Sequence, residues 1–585
     1  MSANLTNPGS HRQTGNRDGA KSFFSPSPAL LVSLLPLLFL AVFFFYPLLS
    51  ILNASFAPQG RLDLSGVKEL VTDAYYARVL GFTFAQAAAS TLITLLAALP
   101  AAYIFARYRF PGENYLRALT TVPFLMPAVV VAAAFTALLG PRGCVNLALM
   151  SLLHLESPPL ELMNTVAIIL IAHIFYNFTV VLRLVGGFWS NLDPQFTNAA
   201  RVLGANRWRA FSRVTLPLLA PSLMAAALLV FIFDFTSFGV VLLLGGARLA
   251  TLEVEIYRQT VNLFNLPLAA ALSLLQIIFT LMLTLIYSRL QGKLARPLRL
   301  SPHALVKRRA HGVGEKTLLF AILASMLLFL GAPLVALVVE SFRTASGFAT
   351  SNYANLFLNP RGSITFVPPI EAVRNSLGFA AVVTLLAVGL GLSAAYSLSQ
   401  ARAQAGGRFS SLRASTFNAL YMLPLGTSAV TLGFGFIIAL DRPPLDLRAT
   451  IWLVPIAHAL VAFPFVVRSV LPILQSIKPN LREAASVLGA NRGSVWREID
   501  LPIIARAVFV GAVFAFVISL GEFGATALIA LPDYPTLPLA IYRLLGQPGI
   551  SNLGQAMALG VILMTVSTVS ILLLERFRIG DVGEF

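Results

Sequence analysis

NAARVLGANRWRAFSRVTLP at residues 198–217 and EAASVLGANRGSVWREIDLP at residues 483–502 are one segment written twice, at an offset of 285 positions. Ten of the 20 positions are identical. Both copies are polar, rich in small residues and centred on a glycine, in a chain that is otherwise apolar. Of its 585 residues, 57% are hydrophobic and 11% charged, against about 25% charged in a soluble domain. So little charge leaves no polar shell to face water all round, and the class is an all-α integral membrane protein.

The duplication extends well beyond the quoted segments. At the same offset the halves align without a gap from about residue 172 to 258. Ala172-His173 meets Ala457-His458, Arg183 meets Arg468, Pro194 meets Pro479, Phe238-Gly239 meets Phe523-Gly524, and Ile256-Tyr257-Arg258 meets Ile541-Tyr542-Arg543. Chance similarity between apolar helices would not hold register through the loops. An apolar helix of about 20 residues crosses the hydrocarbon core, and about 12 such runs occur. In the first half they fall near 28–52, 83–107, 118–140, 164–186, 218–244 and 268–289. In the second they fall near 317–341, 376–400, 415–440, 450–473, 504–528 and 555–576. Pro123, Pro127, Gly435 and Pro464 lie inside these runs, which membrane helices tolerate.

The net charge is +18, from 42 Lys and Arg against 24 Asp and Glu. Its placement decides its meaning. Arg107, Arg109 and Arg117 mark the loop 107–117. Arg183, Arg201, Arg207, Arg209 and Arg213 mark 183–217, and Arg402, Arg408 and Arg413 mark 399–414. The segment 289–316 carries eight more basic residues, while the alternate loop 141–163 sets Arg142 against Glu156 and Glu161. Lys and Arg gather in cytoplasmic loops, so both termini are expected in the cytoplasm and nucleic acid is not the partner. The expected organisation is a disordered tail 1–27, a first half 28–289, a basic cytoplasmic linker 290–315, a second half 316–578 and a short tail 579–585. The run after residue 27 reads as a retained span, without a cleavage site. The single Cys144 excludes an internal disulfide and a cysteine-based metal site.

Both quoted segments lie in a basic loop between the fourth and fifth spans of their half. Residues 197–203 and 482–488 favour helix, and Gly204 and Gly489 are suited to end it with positive φ. Asn206 and Asn491 are placed to cap a second short helix, with Pro217 and Pro502 at the entry to the next span. Two short helices meeting at a glycine form a knob. A plain interfacial turn is the simpler alternative, but it gives no reason to repeat the same Ala pair, Gly and Leu-Pro.

At these residues the chain resembles the permease subunits of ATP-binding-cassette importers, whose mark is the EAA---G---------I-LP loop. The second copy matches throughout, with Glu483, Ala484, Ala485, Gly489, Ile499, Leu501 and Pro502. The first has Asn198 for Glu and Val214 for Ile, and keeps Ala199, Ala200, Gly204, Leu216 and Pro217. The resemblance implies a fold of the type I importer permease, with both halves fused in one chain. It implies coupling helices that dock on two copies of a separate ATPase subunit, a periplasmic substrate-binding protein as a further partner, and a place in a bacterial inner membrane. No G-x-x-x-x-G-K-[ST] phosphate loop occurs. The chain is thus expected to be a non-enzymatic transporter subunit, with no metal or cofactor of its own and ATP used by its partner. Alternating access would rock one half against the other.

Carboxylates within spans are expensive and functional by default. Asp234 in FDFTSFG and Glu522 in SLGEFG stand just before the shared Phe-Gly, but they are not equivalent: Asp234 aligns with Ser519 and Ser237 with Glu522. Asp234, Ser237, Phe238, Glu522 and Phe523 are the candidate lining of a translocation pathway, where acids would favour a cation. The alternative places the two acids at the outer interface or satisfied by nearby Ser and Thr. His173 and His458, at matched positions, read as a hydrogen-bonded structural pair. Within the family, FTSFGVVLLLGG (235–246), ATLEVEIYRQ (250–259) and SLGEFGATALIALPDYPTLPLAIYRLLG (519–546) resemble thiamine importers most. Ferric-iron, polyamine and phosphonate permeases share much of the pattern. A secondary transporter driven by an ion gradient would also have two related halves, yet would not need paired knobs.

Overall fold

Proline and capping residues cut four of the expected apolar runs into pieces, and these cuts organise the molecule. The computed structural model describes residues 28–57, 61–246, 248–294, 307–358, 367–403, 416–441, 443 and 445–577. The expected tails 1–27 and 579–585 and the middle of the linker lie outside the described residues. Among the described residues, eleven helices are long and apolar enough to cross a membrane, and a pair bent by 95° makes twelve candidates if it counts as one broken span. In the first half these are Leu34–Phe56, Ala74–Arg107, Ala128–Leu153, Val166–Ser190, Arg207–Phe235 and Leu266–Leu290. In the second they are Gly312–Ser341, Pro369–Gln400, the pair Thr416–Gly426 with Ala429–Ala439, Leu453–Ser476, Gly493–Gly521 and Ile550–Leu574.

The run expected at 118–140 is broken. Helix Glu113–Leu125 stops, and Ala128–Leu139 resumes after Met126 and Pro127. A residue before proline is pushed out of the helical region, and Met126 is extended at φ −71°, ψ 143°. The second half breaks its third span without that proline: Ser428 caps Ala429–Ala439, its Oγ accepting from the amides of Val430 and Thr431. The chain bends by 95° there. The runs expected at 218–244 and 504–528 are also cut. Leu216–Phe235 is followed by a separate Gly239–Leu244, and Leu501–Gly521 by Thr526–Ile529.

Each half lends its first span to the other. Leu40 and Phe44 are buried in a cluster otherwise drawn from the second half. Leu323, Met326, Leu330 and Leu337, from Gly312–Ser341, pack into the core of the first half. The exchange is nearly symmetric: Phe39 meets Phe463 with centroids 6.5 Å apart, and Phe329 meets Phe178, also at 6.5 Å. Phe178 and Phe463 are counterparts at the 285-residue offset. With apolar lipid around them, such spans associate through close packing more than through water exclusion.

The basic segment before the seventh span is held against the first half. Tyr108 and Arg109 pair in parallel with Arg308 and Arg309 as a two-residue strand. Lys307 pairs with Glu113. Arg308 lies over the Tyr108 ring, 4.9 Å from its centroid, and meets Glu315 with two contacts of 2.6 and 2.8 Å. Nearby, Arg107 donates to the Leu192 carbonyl at 3.3 Å. This gathers the linker and the loops after the second and fourth spans at one end of the molecule, the end that carries the repeated segments.

Candidate functional site

The repeated segments form matching elbows. In the first, helix Pro194–Val202 carries Asn198, Ala199 and Ala200, and Gly204 follows at φ +89°. The Gly204 amide donates to the Arg201 carbonyl and the Ala205 amide to that of Ala200, closing a Schellman turn. In the second, helix Pro479–Val487 carries Glu483, Ala484 and Ala485, with Gly489 at φ +88°. Its turn is closed by the same two bonds, Gly489 to Ser486 and Ala490 to Ala485. A Cβ at either glycine would touch nothing within 4 Å, so the glycine is required by backbone angle and not by space.

The second arm of each elbow differs from the expected separate short helix. Asn206 and Asn491 do cap it, accepting from the amides of Arg209 and Ser494 at 2.7 and 2.8 Å. The arm then runs directly into the fifth span through one π-helical turn, Phe211–Thr215 in one half and Trp496–Asp500 in the other. Pro217 and Pro502 explain the turn: a proline lacks an amide, and widening the preceding turn re-pairs the chain without a break. Leu216 donates to Phe211 and Leu501 to Trp496, five residues back. Val214 and Ile499 sit within these turns, with Leu216 and Leu501 opening the span helices.

Each elbow is also clamped at the same pair of positions by different chemistry. Thr197 Oγ1 lies 3.2 Å from Thr215 Oγ1, while at the equivalent site Arg482 Nε donates to Asp500 Oδ1 at 2.8 Å. At the tips, Val202 and Leu203 are each 87% exposed, and Val487 and Leu488 are 87% and 88% exposed. Two pairs of bare aliphatic side chains on short polar helices are unusual for free surface and form equivalent apolar tips.

At the far end of the fifth spans lies a cavity of about 400 Å³. A helix of 20 residues, at 1.5 Å per residue, puts roughly 30 Å between the elbows and this cavity. All five residues chosen from the sequence, Asp234, Ser237, Phe238, Glu522 and Phe523, line it. Phe238 stacks on Phe523, its own counterpart, with centroids 5.4 Å apart and planes inclined by 24°. Tyr257 packs on Phe238 at 5.5 Å and its counterpart Tyr542 on Phe523 at 5.4 Å. The shared Phe-Gly now has a reason. A Cβ on Gly239 would fall 2.9 Å from Ala128 Cβ and 3.2 Å from Phe523. One on Gly524 would fall 3.1 Å from Val430 and 3.2 Å from Ala429. In both halves the glycine lets the cut in the fifth span pack against the cut in a third span.

The two carboxylates, unequal in sequence, serve the same architecture. His173 Nε2 lies 2.8 Å from Ser237 Oγ, and its Nδ1 lies 3.5 Å from Asp234 Oδ1. His458 Nδ1 lies 3.0 Å from Ser519 Oγ, and its Nε2 lies 3.1 Å from Glu522 Oε2. Each histidine thus lies between a serine and a carboxylate, with the two exchanged between its nitrogens, and His458 Nε2 also meets Thr526 Oγ1 at 2.8 Å. The expected pairing of the histidines is with these groups, not with one another. Glu522 is also a helix cap. Its Oε1 accepts from the Ala525 amide at 2.9 Å, and its Oε2 accepts from the Thr526 amide at 3.1 Å and hydroxyl at 2.9 Å.

A third carboxylate went unnoticed in the sequence. Glu253 is fully buried and lines the same cavity. Gln276 donates to it at 2.9 Å from the same half and Ser428 at 2.5 Å from the other. It falls in ATLEVEIYRQ, between expected spans, so the rule for acids within spans did not reach it; its counterpart is Pro538. No Lys or Arg is among the described residues that line the cavity. Among the described residues, no group of three or more His, Cys, Asp or Glu side chains is arranged to hold a metal ion.

The family described as "Binding-protein-dependent transport system inner membrane component" matches the chain twice, at residues 95–300 and 387–578. One match covers most of each half, the first running on into the linker. The thiamine transport system permease protein of Brucella abortus (strain 2308) is 29% identical, over 85% of this chain and 88% of that protein. That of Escherichia coli (strain K12) is 27% identical, over 81% and 84%. A putative 2-aminoethylphosphonate transport system permease protein of Salmonella paratyphi A is 29% identical, over 44% of this chain and 90% of its own.

Proposed function

The chain belongs to the binding-protein-dependent transport system inner membrane components, and on that premise we propose that its cargo is thiamine or a thiamine phosphate ester. As a member of that family it is the multi-pass membrane subunit of an ATP-binding-cassette importer. It is a transporter subunit and not an enzyme, it binds no cofactor, and ATP is hydrolysed by a separate subunit. Type I alternating access, with both termini in the cytoplasm and a periplasmic binding protein delivering cargo at the cavity end, completes the reading.

One observation carries the cargo assignment: relatives named as thiamine permeases align with this chain through both halves. The cavity agrees with it in kind. It is lined by Asp234, Glu253 and Glu522 and by the rings of Phe124, Tyr176, Phe233, Phe238 and Phe523, with no Lys or Arg among the described lining residues. Such a surface suits the aromatic cation of thiamine, and its described residues offer no basic side chain to a phosphate or phosphonate group.

The elbows are assigned to coupling. Their exposed tips Val202-Leu203 and Val487-Leu488, set by Gly204 and Gly489, would each seat in one of two ATPase copies. Because the second arm is continuous with the fifth span, a push at the tip reaches the Phe-Gly cut as movement of one rod. Reconstituting the chain with its ATPase and binding protein tests the reading. ATP-dependent uptake of radiolabelled thiamine is expected; uptake of ferric iron, a polyamine or 2-aminoethylphosphonate instead would reject the cargo. Transport driven by a proton gradient without ATP would point to a secondary transporter.

A further inference from the structure

The two histidine–serine–carboxylate clusters look alike, but only one is chemically complete. Glu522 has donors on both oxygens: two backbone amides, the Thr526 hydroxyl and His458. Glu253 has a donor on each oxygen, from Gln276 and Ser428. Asp234 differs. It is 1% exposed, its Oδ1 accepts from Asn177 Nδ2 at 2.7 Å, and its Oδ2 has no hydrogen-bond partner among the described residues. His173 Nδ1, beside it, has none either. The Ser90 hydroxyl lies within weak hydrogen-bonding reach of this carboxylate, although it makes no contact of normal hydrogen-bond geometry. A buried carboxylate oxygen left open costs free energy, and such a group in a membrane protein marks a place where a ligand completes the set.

We propose that Asp234, with His173 beside it, is the group that receives the positively charged part of the cargo, and that Glu522 is a structural helix cap. This rests on the importer reading and on a cationic cargo, not on thiamine itself. The geometry supports the division of labour. Asp234, His173 and Asn177 all line the cavity, and so do the rings of Phe124 and Phe233, 5.9 Å apart and near the same end of the fifth span. A flat cation entering there meets aromatic faces and an acceptor oxygen held by no hydrogen bond of normal geometry. At the equivalent position of the other half stands Ser519, already engaged by His458, so the second half offers no matching acceptor. Glu522, the lining carboxylate of the second half, has its oxygens engaged by its own cap, so the charge left for cargo is on the first half.

The test uses the full permease–ATPase complex, purified in detergent, and two ring probes. 3,4-Dimethylthiazolium carries a fixed positive charge; 4-methylthiazole is its neutral analogue. Thermal shift against probe concentration gives an apparent affinity. The wild type is expected to bind the cation at least tenfold more tightly than the neutral ring. D234N is expected to lose that preference. D234S, which installs the residue found at the equivalent position of the other half, does the same and stands in if D234N does not fold. E522Q is expected to lower the midpoint without probe and keep the preference for the cation. Undiminished preference in D234N or D234S, its loss in E522Q, or its absence from the wild type would each overturn the assignment. Thiamine uptake by the wild type is scored separately. A complex that prefers thiazolium but imports no thiamine rejects the cargo and leaves Asp234 in place; one that imports thiamine while D234S binds normally does the reverse.

Discussion

Phe238 and Phe523 hold the same position in the two halves of the chain, 285 residues apart, and their rings stack on each other at 5.4 Å. A duplicated residue can meet its own copy only on the pseudo-twofold axis, so this contact marks the axis between the halves. Both rings are nearly buried, at 7% and 3% exposure, and they bound the cavity on the axis. A stacked pair contributes about 0.5–1.5 kcal/mol beyond its burial. A double-mutant cycle of Phe238→Ala and Phe523→Ala, read as apparent stability of the complex, should return a coupling in that range. Additive losses would show that the rings merely coexist.

Positive φ at Gly204 and Gly489 with open space around each gives a second prediction. A β-branched residue in the left-handed region costs about 1–2 kcal/mol from backbone strain. Gly489→Val should therefore distort the elbow and reduce recovery of the ATPase in co-purification, with membrane insertion unchanged. Gly489→Asn, which tolerates that region, should restore most of it. Full ATPase recovery with Gly489→Val would remove the docking role.

The clamps predict that the elbows differ in their response to salt. Arg482–Asp500 is an ion pair with Asp500 largely buried, whereas Thr197–Thr215 is a neutral contact. Asp500→Ala should weaken the second elbow by roughly 1.5 kcal/mol, and the loss should shrink at high ionic strength. Thr215→Ala should cost less and show no salt dependence. ATPase affinity measured at low and high salt checks both. The asymmetry visible in sequence was Asn198 against Glu483, and both of those side chains are exposed. The asymmetry that holds the elbow lies one residue earlier.

Apolar run length and constant register were enough to read eleven or twelve candidate spans and two related halves, because these are properties of single segments. The elbow glycines were legible for the same reason: positive φ is a local demand. Breaks within spans were not. The break before Ser428 follows Pro424 in a short 3-10 turn, yet nothing local says that Ser428 will cap a new helix at 95° to the old one. Likewise, 218–244 reads as one unbroken greasy run although Thr236 to Phe238 interrupt it. The difference between Asp234 and Glu522 was also invisible, since it depends on which donors neighbouring helices bring. Glu253 was missed because its segment is buried by tertiary packing and is too short to count as a span.

Glu253 and Ser428 supply the last prediction. Their hydrogen bond joins the first half to the second, and it does so at the N-terminus of Ala429–Ala439, whose first amides Ser428 also caps. A chain of donors thus runs from those amides through Ser428 to Glu253, with Gln276 closing the other side. Glu253→Ala strands two buried donors, at about 1–3 kcal/mol. Ser428→Ala removes the cap, at about 0.5–2 kcal/mol, and takes a donor from Glu253. Because both substitutions break the same bond, the double variant should lose less than the sum of the single losses. Apparent stability of the purified complex, measured for the two single variants and the double, checks this. Strict additivity would mean that the halves are held at this point by packing alone. If the bond must open when the halves rock, Ser428→Ala should also raise ATP hydrolysis in the absence of binding protein, since a restraint on the resting state has gone. A loss of stability with no change in that basal rate would make the bond a static tie and not a latch.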